Sequence, residues 1–442
     1  MLKNISSYSL IILSFIALIF FGAILLMLPF SRIENSEISF FEALFTATSA
    51  VTVTGLSLVD VPTTFTPTGK IILLILIQLG GIGILTFSSA VLLLISKKIG
   101  FYTKRVVAEG LNHEAKFDIY SHIKKVVIIV VAFELIGAFL LFFQFYKKYE
   151  FGTAFFYAIF HSVSAFCNAG FSLLPNSMEM YRCNIFVNLT LIFLIVFGGL
   201  GFNTIIETWD YLRKKRRKIG INSKFSMIIS GILLALGIFL FMVLEHNNMD
   251  TFSNKGFFEK ILISFFHSAS LRSAGFNTIP LNDFTGATIL FCAVFMFIGA
   301  SPGSTASGVK TTTIGILFLG IKAALFNREY IEFSKRRISW KIFNKASALT
   351  LIAIIYVLTM MVAMAGFDAD KDFTKVAFEL MSAFGTVGLS MGITPDLSLG
   401  SKIILIFTMF LGRVGPLTIA LALSRNRRKG TYKYPKENIL IG

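Results

Sequence analysis

Charged side chains are scarce in this chain of 442 residues. Asp, Glu, Lys and Arg make up 15% of the sequence, whereas soluble domains carry about a quarter. No stretch is long and polar enough to fold as a separate soluble domain, and the mean hydropathy is +0.76. These features exclude a soluble enzyme and indicate a membrane protein.

Cysteine and acidic residues are also few. The three cysteines, Cys167, Cys183 and Cys292, are scattered and lack metal-ligand spacing, so we interpret them as packing residues. Only 24 acidic residues oppose 41 Lys and Arg, which gives a formal net charge of +17. The basic residues lie in short clusters between apolar runs, a pattern typical of cytoplasmic loops. It does not favour nucleic-acid binding.

The chain does contain one small-residue stretch that occurs four times. Each copy has Ser and Ala five and six residues before a glycine, Leu or Phe directly after it, and a proline soon afterwards. The copies are 46–56, 162–171, 268–276 and 381–389. Their central glycines are Gly55, Gly170, Gly275 and Gly388. Four such loops in a membrane protein predict a ring around an axis.

Each copy lies in the same order of elements: a span, a short apolar segment, the glycine loop and a second span. The short segments are too short to cross a bilayer core of about 30 Å and predict re-entrant half-helices. The predicted spans are 8–30, 69–95, 126–146, 185–209, 225–244, 287–326, 346–367 and 402–423. The predicted half-helices are 40–50, 153–166, 257–271 and 373–384. The expected fold is an all-α membrane protein with eight transmembrane helices and four half-helices.

Basic residues mark the boundaries between these units. We predict pore repeats at 1–98, 124–212, 225–327 and 346–424, cytoplasmic linkers at 99–123, 213–224 and 328–345, and a cytoplasmic tail at 425–442. The positive-inside rule places the linkers and both termini in the cytoplasm, with the glycine loops entering from outside. All four units then share one orientation, as in parallel repeats about an axis along the membrane normal.

Irregular backbone at membrane depth is tolerated only where it is buried in protein or lines a water-filled cavity. Four such loops around one axis can direct backbone carbonyls at a cation and replace its hydration shell. The C-terminal end of each half-helix adds about half a negative charge. The repeat therefore predicts a cation pore, with four ordinary tight turns at buried helix ends as the structural alternative.

This unit, repeated four times from about 8 to 423, resembles the Trk/Ktr/HKT superfamily of potassium transporters. One glycine per loop is that superfamily's pattern. Trk-type members have two additional spans, which this chain lacks, so its eight spans are similar to those of the Ktr membrane subunits. The resemblance implies that backbone carbonyls around these residues coordinate K⁺: Val53, Thr54, Gly55, Asn168, Ala169, Gly170, Ser273, Ala274, Gly275, Thr386, Val387 and Gly388. Only the first loop reads Thr-Val-Thr-Gly, so the preference for K⁺ over Na⁺ stays open.

The second span of the third unit is interrupted by small and polar residues. These are Gly299, Ala300, Ser301, Pro302, Gly303, Ser304, Thr305, Ala306, Ser307 and Gly308. Such a segment, with a proline inside it, is incompatible with a regular helix throughout. A small-residue packing face is the alternative. Its composition is also like that of a phosphate-binding loop, but the spacing of such a loop is missing.

Arg413 is predicted to lie at the depth of this segment. It follows Gly388 by 25 residues, as Ala300 follows Gly275 by 25. An arginine inside a span costs about 2.5–3.5 kcal/mol and usually faces a cavity or binds backbone carbonyls, snorkelling being the alternative. We expect Arg413 to donate hydrogen bonds to the 299–308 loop and hold it across the pore. The resemblance likewise implies a gating loop in the third repeat and a matching arginine in the fourth.

Three other polar residues lie close to the glycine loops. Arg272, three residues before Gly275, is expected to be structural, with Glu134 as a conceivable partner. His161 and His267 occupy nearly matching positions without an acid or metal partner and are expected to be hydrogen-bonded packing groups.

The resemblance implies K⁺ as the transported substrate, no bound cofactor, possible sodium dependence and a bacterial cell membrane. It also implies a homodimer with a cytoplasmic nucleotide-binding regulatory ring of the KtrA/KtrC type on the basic segments. Membrane lipid is the other partner that these segments favour. The alternative function is a sodium-coupled transporter of a small solute, which would favour side-chain recognition groups at the midplane and often inverted repeats.

Overall fold

A computed structural model describes residues 7–34, 37–83, 119–215, 217–253 and 255–415 of the chain. The C-terminal half of the predicted span 69–95, most of the linker 99–123, the end of the predicted span 402–423 and the tail 425–442 lie outside the described residues.

The described part is mostly helical. Its α-helices are α1 Ser7–Met27, α2 Phe40–Thr52, α3 Val61–Thr64, α4 Pro67–Ile82, α5 Ile119–Phe145, α6 Phe151–Phe166, α7 Ile185–Leu200, α8 Phe202–Leu212, α9 Ile221–Leu244, α10 Phe257–Ser270, α11 Gly286–Phe297, α12 Thr311–Leu325, α13 Trp340–Phe367, α14 Phe373–Gly385 and α15 Leu399–Val414. The strands β1 Ile331–Phe333 and β2 Arg336–Ile338 pair as an antiparallel hairpin inside the predicted linker 328–345. This hairpin departs from the all-α expectation.

The short helices α2, α6, α10 and α14 correspond closely to the four predicted half-helices. Each begins at an exposed phenylalanine and ends in the protein core. A capping box fixes the start of α2, since the Ser39 hydroxyl accepts from the Glu42 N–H at 3.2 Å and the Glu42 carboxylate from the Ser39 N–H at 2.8 Å. The exposed start and buried end bring the C-terminal loops of these helices to the middle of the molecule.

Glycines end three of the helices inside predicted spans, which were expected to be continuous. Helices α4, α7 and α15 end at Gly83, Gly201 and Gly415, whose φ angles are +88°, +88° and +87°. A helix cannot continue through that conformation, which glycine adopts most readily. At Gly201 the axes of α7 and α8 turn by 100°. The predicted span 185–209 is therefore two helices.

By length and composition, three helices in the described ranges are able to cross a membrane: Ser121–Phe145, Ile221–Leu244 and Trp340–Phe367. The bent pair of α7 and α8 would make a fourth span. The other apolar helices in the described ranges are 10–17 residues long, so the count of eight spans stays a prediction.

The helices contact one another in a closed cycle. Helix α4 packs against α6, α7 against α10, α11 against α14, and α15 against α2. Each short helix of the second, third and fourth units therefore contacts the second apolar helix of the unit before it. The short helix of the first unit contacts the second apolar helix of the fourth unit, which closes the cycle. This cycle brings four distant parts of the sequence around one centre.

Candidate functional site

The four glycine loops have the same unusual backbone conformation. In each, the central glycine and the residue two positions before it have positive φ, while the residue between them does not. The non-glycine members are Val53 (57°), Asn168 (59°), Ser273 (77°) and Thr386 (45°). A side chain in this region costs about 1–2 kcal/mol, and such strain concentrates at functional sites. Its presence in all four loops indicates that the same backbone geometry is repeated around the ring.

The loops also touch one another in a closed order. A Cβ atom added at any central glycine would collide with a backbone carbonyl of the next loop. The colliding pairs are Gly55 with Ala169, Gly170 with Ala274, Gly275 with Val387, and Gly388 with Thr54. In every pair the carbonyl belongs to the residue directly before the next glycine. Four equivalent carbonyls therefore lie at the contacts between loops, where only glycine fits.

Serines at the ends of the short helices hold the loops in two different ways. In the first and fourth loops the serine hydroxyl accepts the N–H of the central glycine, at 2.9 Å for Ser49 and 3.0 Å for Ser382. In the second and third loops it donates to the carbonyl of the residue after the glycine, at 2.8 Å for Ser164 and 2.5 Å for Ser270. The ring is therefore pseudo-symmetric, and its quarters are chemically unequal.

The segment 298–310 between α11 and α12 is an irregular, folded loop, as its composition predicts. Its two ends are joined, since the Gly299 N–H donates to the Val309 carbonyl at 3.0 Å and the Thr311 N–H to the Ala300 carbonyl at 3.2 Å. The polar side chains of Ser301, Thr305 and Ser307 are fully buried. This is an internal element of the protein and not a solvent-exposed connection.

This loop is hydrogen-bonded directly to the glycine ring. The Thr305 hydroxyl lies 3.1 Å from the Phe166 carbonyl and accepts from Asn168 Nδ2 at 3.0 Å. The Ser307 N–H donates to the Ser273 hydroxyl at 3.3 Å. Asn168 and Ser273 are the strained residues of the second and third loops, so the 298–310 loop supports the residues that shape the ring.

The predicted hydrogen bond between Arg413 and this loop is present. The guanidinium donates to the carbonyls of Thr305 and Gly80, to the Gly81 carbonyl at 3.0 Å and to the Ser307 hydroxyl at 3.4 Å. Backbone oxygens therefore solvate the buried charge, as expected for an arginine at membrane depth. One side chain links α15, the loop and the end of α4.

Lys310 belongs to the same region, and the sequence reasoning missed it. Its ammonium donates to the Ala306 carbonyl at 2.8 Å and interacts electrostatically with the guanidinium of Arg413. The only signal was a lysine two residues after Gly308, between apolar runs. Two basic side chains therefore lie beside the loop.

Arg272 does not contact Glu134, the partner considered from the sequence. It donates to the backbone carbonyl of Ser230 at 3.2 Å and to the Ser230 hydroxyl at 3.0 Å. Glu134 instead accepts from Gln78 at 3.0 Å. Arg272 therefore reaches α9, away from the ring. The reason is tertiary, because the path of α9 behind the third loop is not visible in a local pattern.

Arg272→Ala is expected to lower the amount of protein in the membrane. The substitution removes two buried hydrogen bonds from a charged group to Ser230, and such bonds are worth about 1.5–3 kcal/mol each. Immunoblots of membrane fractions and the melting temperature of the purified protein measure the loss. The matched control is Arg182→Ala, which removes a partly exposed ion pair with Glu259 and should change little. Normal protein levels with altered ion selectivity would contradict the structural role.

The two histidines are hydrogen-bonded packing groups, as predicted. His161 Nδ1 donates to the Tyr157 carbonyl at 2.7 Å, and Nε2 accepts from the Leu173 N–H at 3.2 Å. His267 pairs with the Thr278 hydroxyl at 3.3 Å. No group of three His, Cys, Asp or Glu side chains able to hold a metal ion occurs among the described residues.

An apolar helical fold with a buried ring of four strained loops is the architecture of a membrane transport protein. The sequence model of the TrkH family, described as cation transport proteins, matches residues 4–432, and the chain belongs to this family. It is therefore a multi-pass membrane protein and not an enzyme.

The chain is similar over nearly its whole length to three relatives. It is similar to the Ktr system potassium uptake protein B of Vibrio alginolyticus, at 37% identity over 98% of this chain and 94% of the relative. The protein of the same name from Bacillus subtilis is 35% identical over 97% of this chain and 95% of its own. The potassium/sodium uptake protein NtpJ of Enterococcus hirae is 35% identical over 100% of this chain and 98% of the relative. These similarities confirm the expected resemblance to Ktr membrane subunits.

The crystal structure of the potassium transporter TrkH from Vibrio parahaemolyticus has the same fold. The two superpose with a TM-score of 0.73 over 96% of this chain and 86% of that chain, at 20% sequence identity.

Proposed function

We propose that this chain is the ion-translocating subunit of a potassium uptake system, in which K⁺ passes through the ring of four glycine loops. The observation that carries the proposal is the closed set of contacts between the central glycines and the carbonyls that precede them. Potassium uptake in the names of the three relatives supports K⁺ as the substrate. The membrane potential, worth about 2.3 kcal/mol per charge per 100 mV, would drive uptake without another energy source.

The proposed architecture has four parallel repeats and eight membrane-spanning segments around this pore. The closed cycle of helix contacts supports it, since each repeat contributes one short helix and one broken helix to the centre. Both termini and the basic linkers would then lie in the cytoplasm.

In this proposal, dehydration of the ion is compensated by the carbonyls of the ring residues 53–55, 168–170, 273–275 and 386–388. Strain in the loops keeps those carbonyls oriented before the ion arrives, and the contacts between loops fix the size of the ring. The inequality of the four quarters and the potassium/sodium name of one relative make sodium passage the property to measure.

The loop 299–308 would be the gate, held closed by Arg413. It is bonded to the second and third ring loops, so an ion that leaves the ring toward the cytoplasm meets it first. The charge of Arg413 would oppose a cation at that point, and opening would require this side chain to move with the loop.

We propose that the chain forms a homodimer with a regulatory ring docked on the cytoplasmic side, as its resemblance to Ktr membrane subunits implies. The words "Ktr system" in the names of two relatives support association with regulatory subunits. The basic segments at 213–224 and 328–345 are the described surfaces on which such a ring, or anionic lipid, would act.

Growth at low potassium tests the proposed function. The chain, expressed with the regulatory partner from its own source in a bacterium that lacks potassium uptake, is expected to restore growth and rubidium uptake. Equal expression of Gly275→Ser should not restore them. Absence of growth with the unmodified chain, despite normal amounts in the membrane, would reject potassium uptake as the function.

A further inference from the structure

A cavity of about 1270 Å³ opens on the side of the molecule that carries the basic linkers. Its walls are the first turn of α8, the segment leading into α9, the hairpin β1–β2 and the first turns of α13. Pro302 of the gating loop and Thr312 of α12 also line it. The cavity therefore connects the surface with the backbone of that loop.

Five cationic side chains and no acidic ones line this cavity. The cations are Lys218, Lys224, Arg336, Arg337 and Lys345. All five are exposed, and in the ranges that the structure describes none of them pairs with a carboxylate. Glu207 lies close to the wall, and its carboxylate accepts from the Gly220 N–H at 3.0 Å and the Ser223 hydroxyl at 2.8 Å. Glu332 of the hairpin pairs with Arg328.

Arg337 stacks on the ring of Tyr330 at 4.1 Å and lies across the hairpin from Glu332. The five cations together make the potential in the hollow positive, which favours a bound anion. Arginine forks match phosphate oxygens in pairs, and lysines bind phosphate as point charges, so phosphate is the group that suits this mixture. The volume is at or above the roughly 300–1,000 Å³ of small-molecule sites. It accommodates a larger molecule than inorganic phosphate alone.

We propose that this cavity binds a phosphate-bearing anion and that its occupation acts on the gating loop. This second part rests on the proposed gating function. Asn203 and Thr204 of the cavity wall directly follow Phe202, whose N–H donates to the Gly303 carbonyl of the loop at 2.9 Å. An anion that draws α8, α9 and the hairpin together would shift the loop at Pro302 and Gly303.

A phospholipid headgroup and a soluble nucleotide offer the same phosphate chemistry. The cavity faces the cytoplasmic side in the proposed orientation, where both are present. The test therefore has one arm for each source and uses the membrane subunit alone, so that binding by a regulatory partner does not contribute.

The cavity variant combines Arg336→Gln, Arg337→Gln and Lys345→Gln. Its matched control combines Lys322→Gln, Lys335→Gln and Lys341→Gln, which removes the same charge from exposed neighbours that do not line the cavity. The melting temperature of each purified protein is measured against ATP in one arm and against phosphatidylglycerol, with phosphatidylcholine as the reference, in the other. Rubidium flux is measured in liposomes under the same conditions.

At least one anion is expected to stabilise the unmodified chain and the control, while the cavity variant should need about tenfold more of it or not respond. All three proteins should have equal flux without the anion, and the anion should change flux only in the first two. No stabilisation by either anion, or equal weakening in both variants, would overturn the site. Binding without any effect on flux would overturn its action on the gate.

These outcomes are separable from failure of the potassium proposal. If the unmodified chain carries no rubidium in any liposome, potassium transport fails as the function, while the melting temperatures still decide whether the anion site exists.

Discussion

Gly275→Ser is expected to reduce potassium uptake by about tenfold or more and to weaken discrimination against sodium. Gly275 has a φ of +75°, and a Cβ atom there would overlap the Val387 carbonyl. The left-handed conformation costs about 1–2 kcal/mol, and overpacking adds about 1–3 kcal/mol. The least costly relief moves the fourth loop away from the third, which displaces one carbonyl from its place in the ring. Rubidium uptake with and without competing sodium measures both effects.

A graded series separates this effect from general damage. Gly170→Ala brings a Cβ atom to 2.9 Å from the Ala274 carbonyl, a milder collision, so its loss of uptake should be smaller. Gly286→Ser is the matched control, because no atom lies within 4 Å of the new Cβ and φ is not positive. Equal uptake by Gly275→Ser and Gly286→Ser, at equal protein levels, would show that the ring contacts do not control conduction.

Arg413→Ala is expected to increase potassium flux, with about tenfold as the scale of the change. The guanidinium is hydrogen-bonded both to the 298–310 loop and to the end of α4, and hydrogen bonds to a charged group are worth about 1.5–3 kcal/mol each. Its loss removes a positive charge and frees the loop from α4 and α15. Deletion of residues 303–304 should also increase flux, because it loosens the loop, while the charge of Arg413 stays in place. Rubidium flux into liposomes that contain the purified subunit measures both variants.

Arg413→Lys tests how the arginine acts. Lysine keeps the charge but has no planar fork to bridge the Thr305 carbonyl and the carbonyls of Gly80 and Gly81. Flux between those of the unmodified chain and Arg413→Ala is expected. Unchanged flux in both Arg413→Ala and the 303–304 deletion would reject the gate assignment. A loss of flux in Arg413→Ala at a normal melting temperature would reject only the role of Arg413 in holding the gate closed.

The elements closest to the site were predictable because their signals are local. The four short helices lie within three residues of the bounds expected from apolar runs that end at small residues. The hydrogen bond of Arg413 to the loop was predictable because Arg413 follows Gly388 by as many residues as Ala300 follows Gly275. Equal spacing in repeated units gives equal depth. Irregular backbone at 299–308 followed from its own composition.

Other features depend on contacts between distant segments. The glycines at 83, 201 and 415 lie in helix-compatible apolar runs, and nothing in those runs marks them as helix ends. Three residues earlier, Gly80, Gly198 and Gly412 pack against the short helices. Arg272 needed the position of α9 before Ser230 emerged as its partner. The hairpin at 331–338 and the cavity beside it bring 218–224 near 336–345, two segments that share no sequence pattern beyond positive charge.

The sequence by itself determined the repeated small-residue loops, the membrane setting and the family, because composition and spacing carry those directly. Only the tertiary structure decided that each glycine meets the carbonyl before the next glycine and that the fourth loop returns to the first. Ring closure depends on distances between loops more than one hundred residues apart, and those distances are set by helix packing. The same packing placed Lys310 beside Arg413 and left five cations around one hollow.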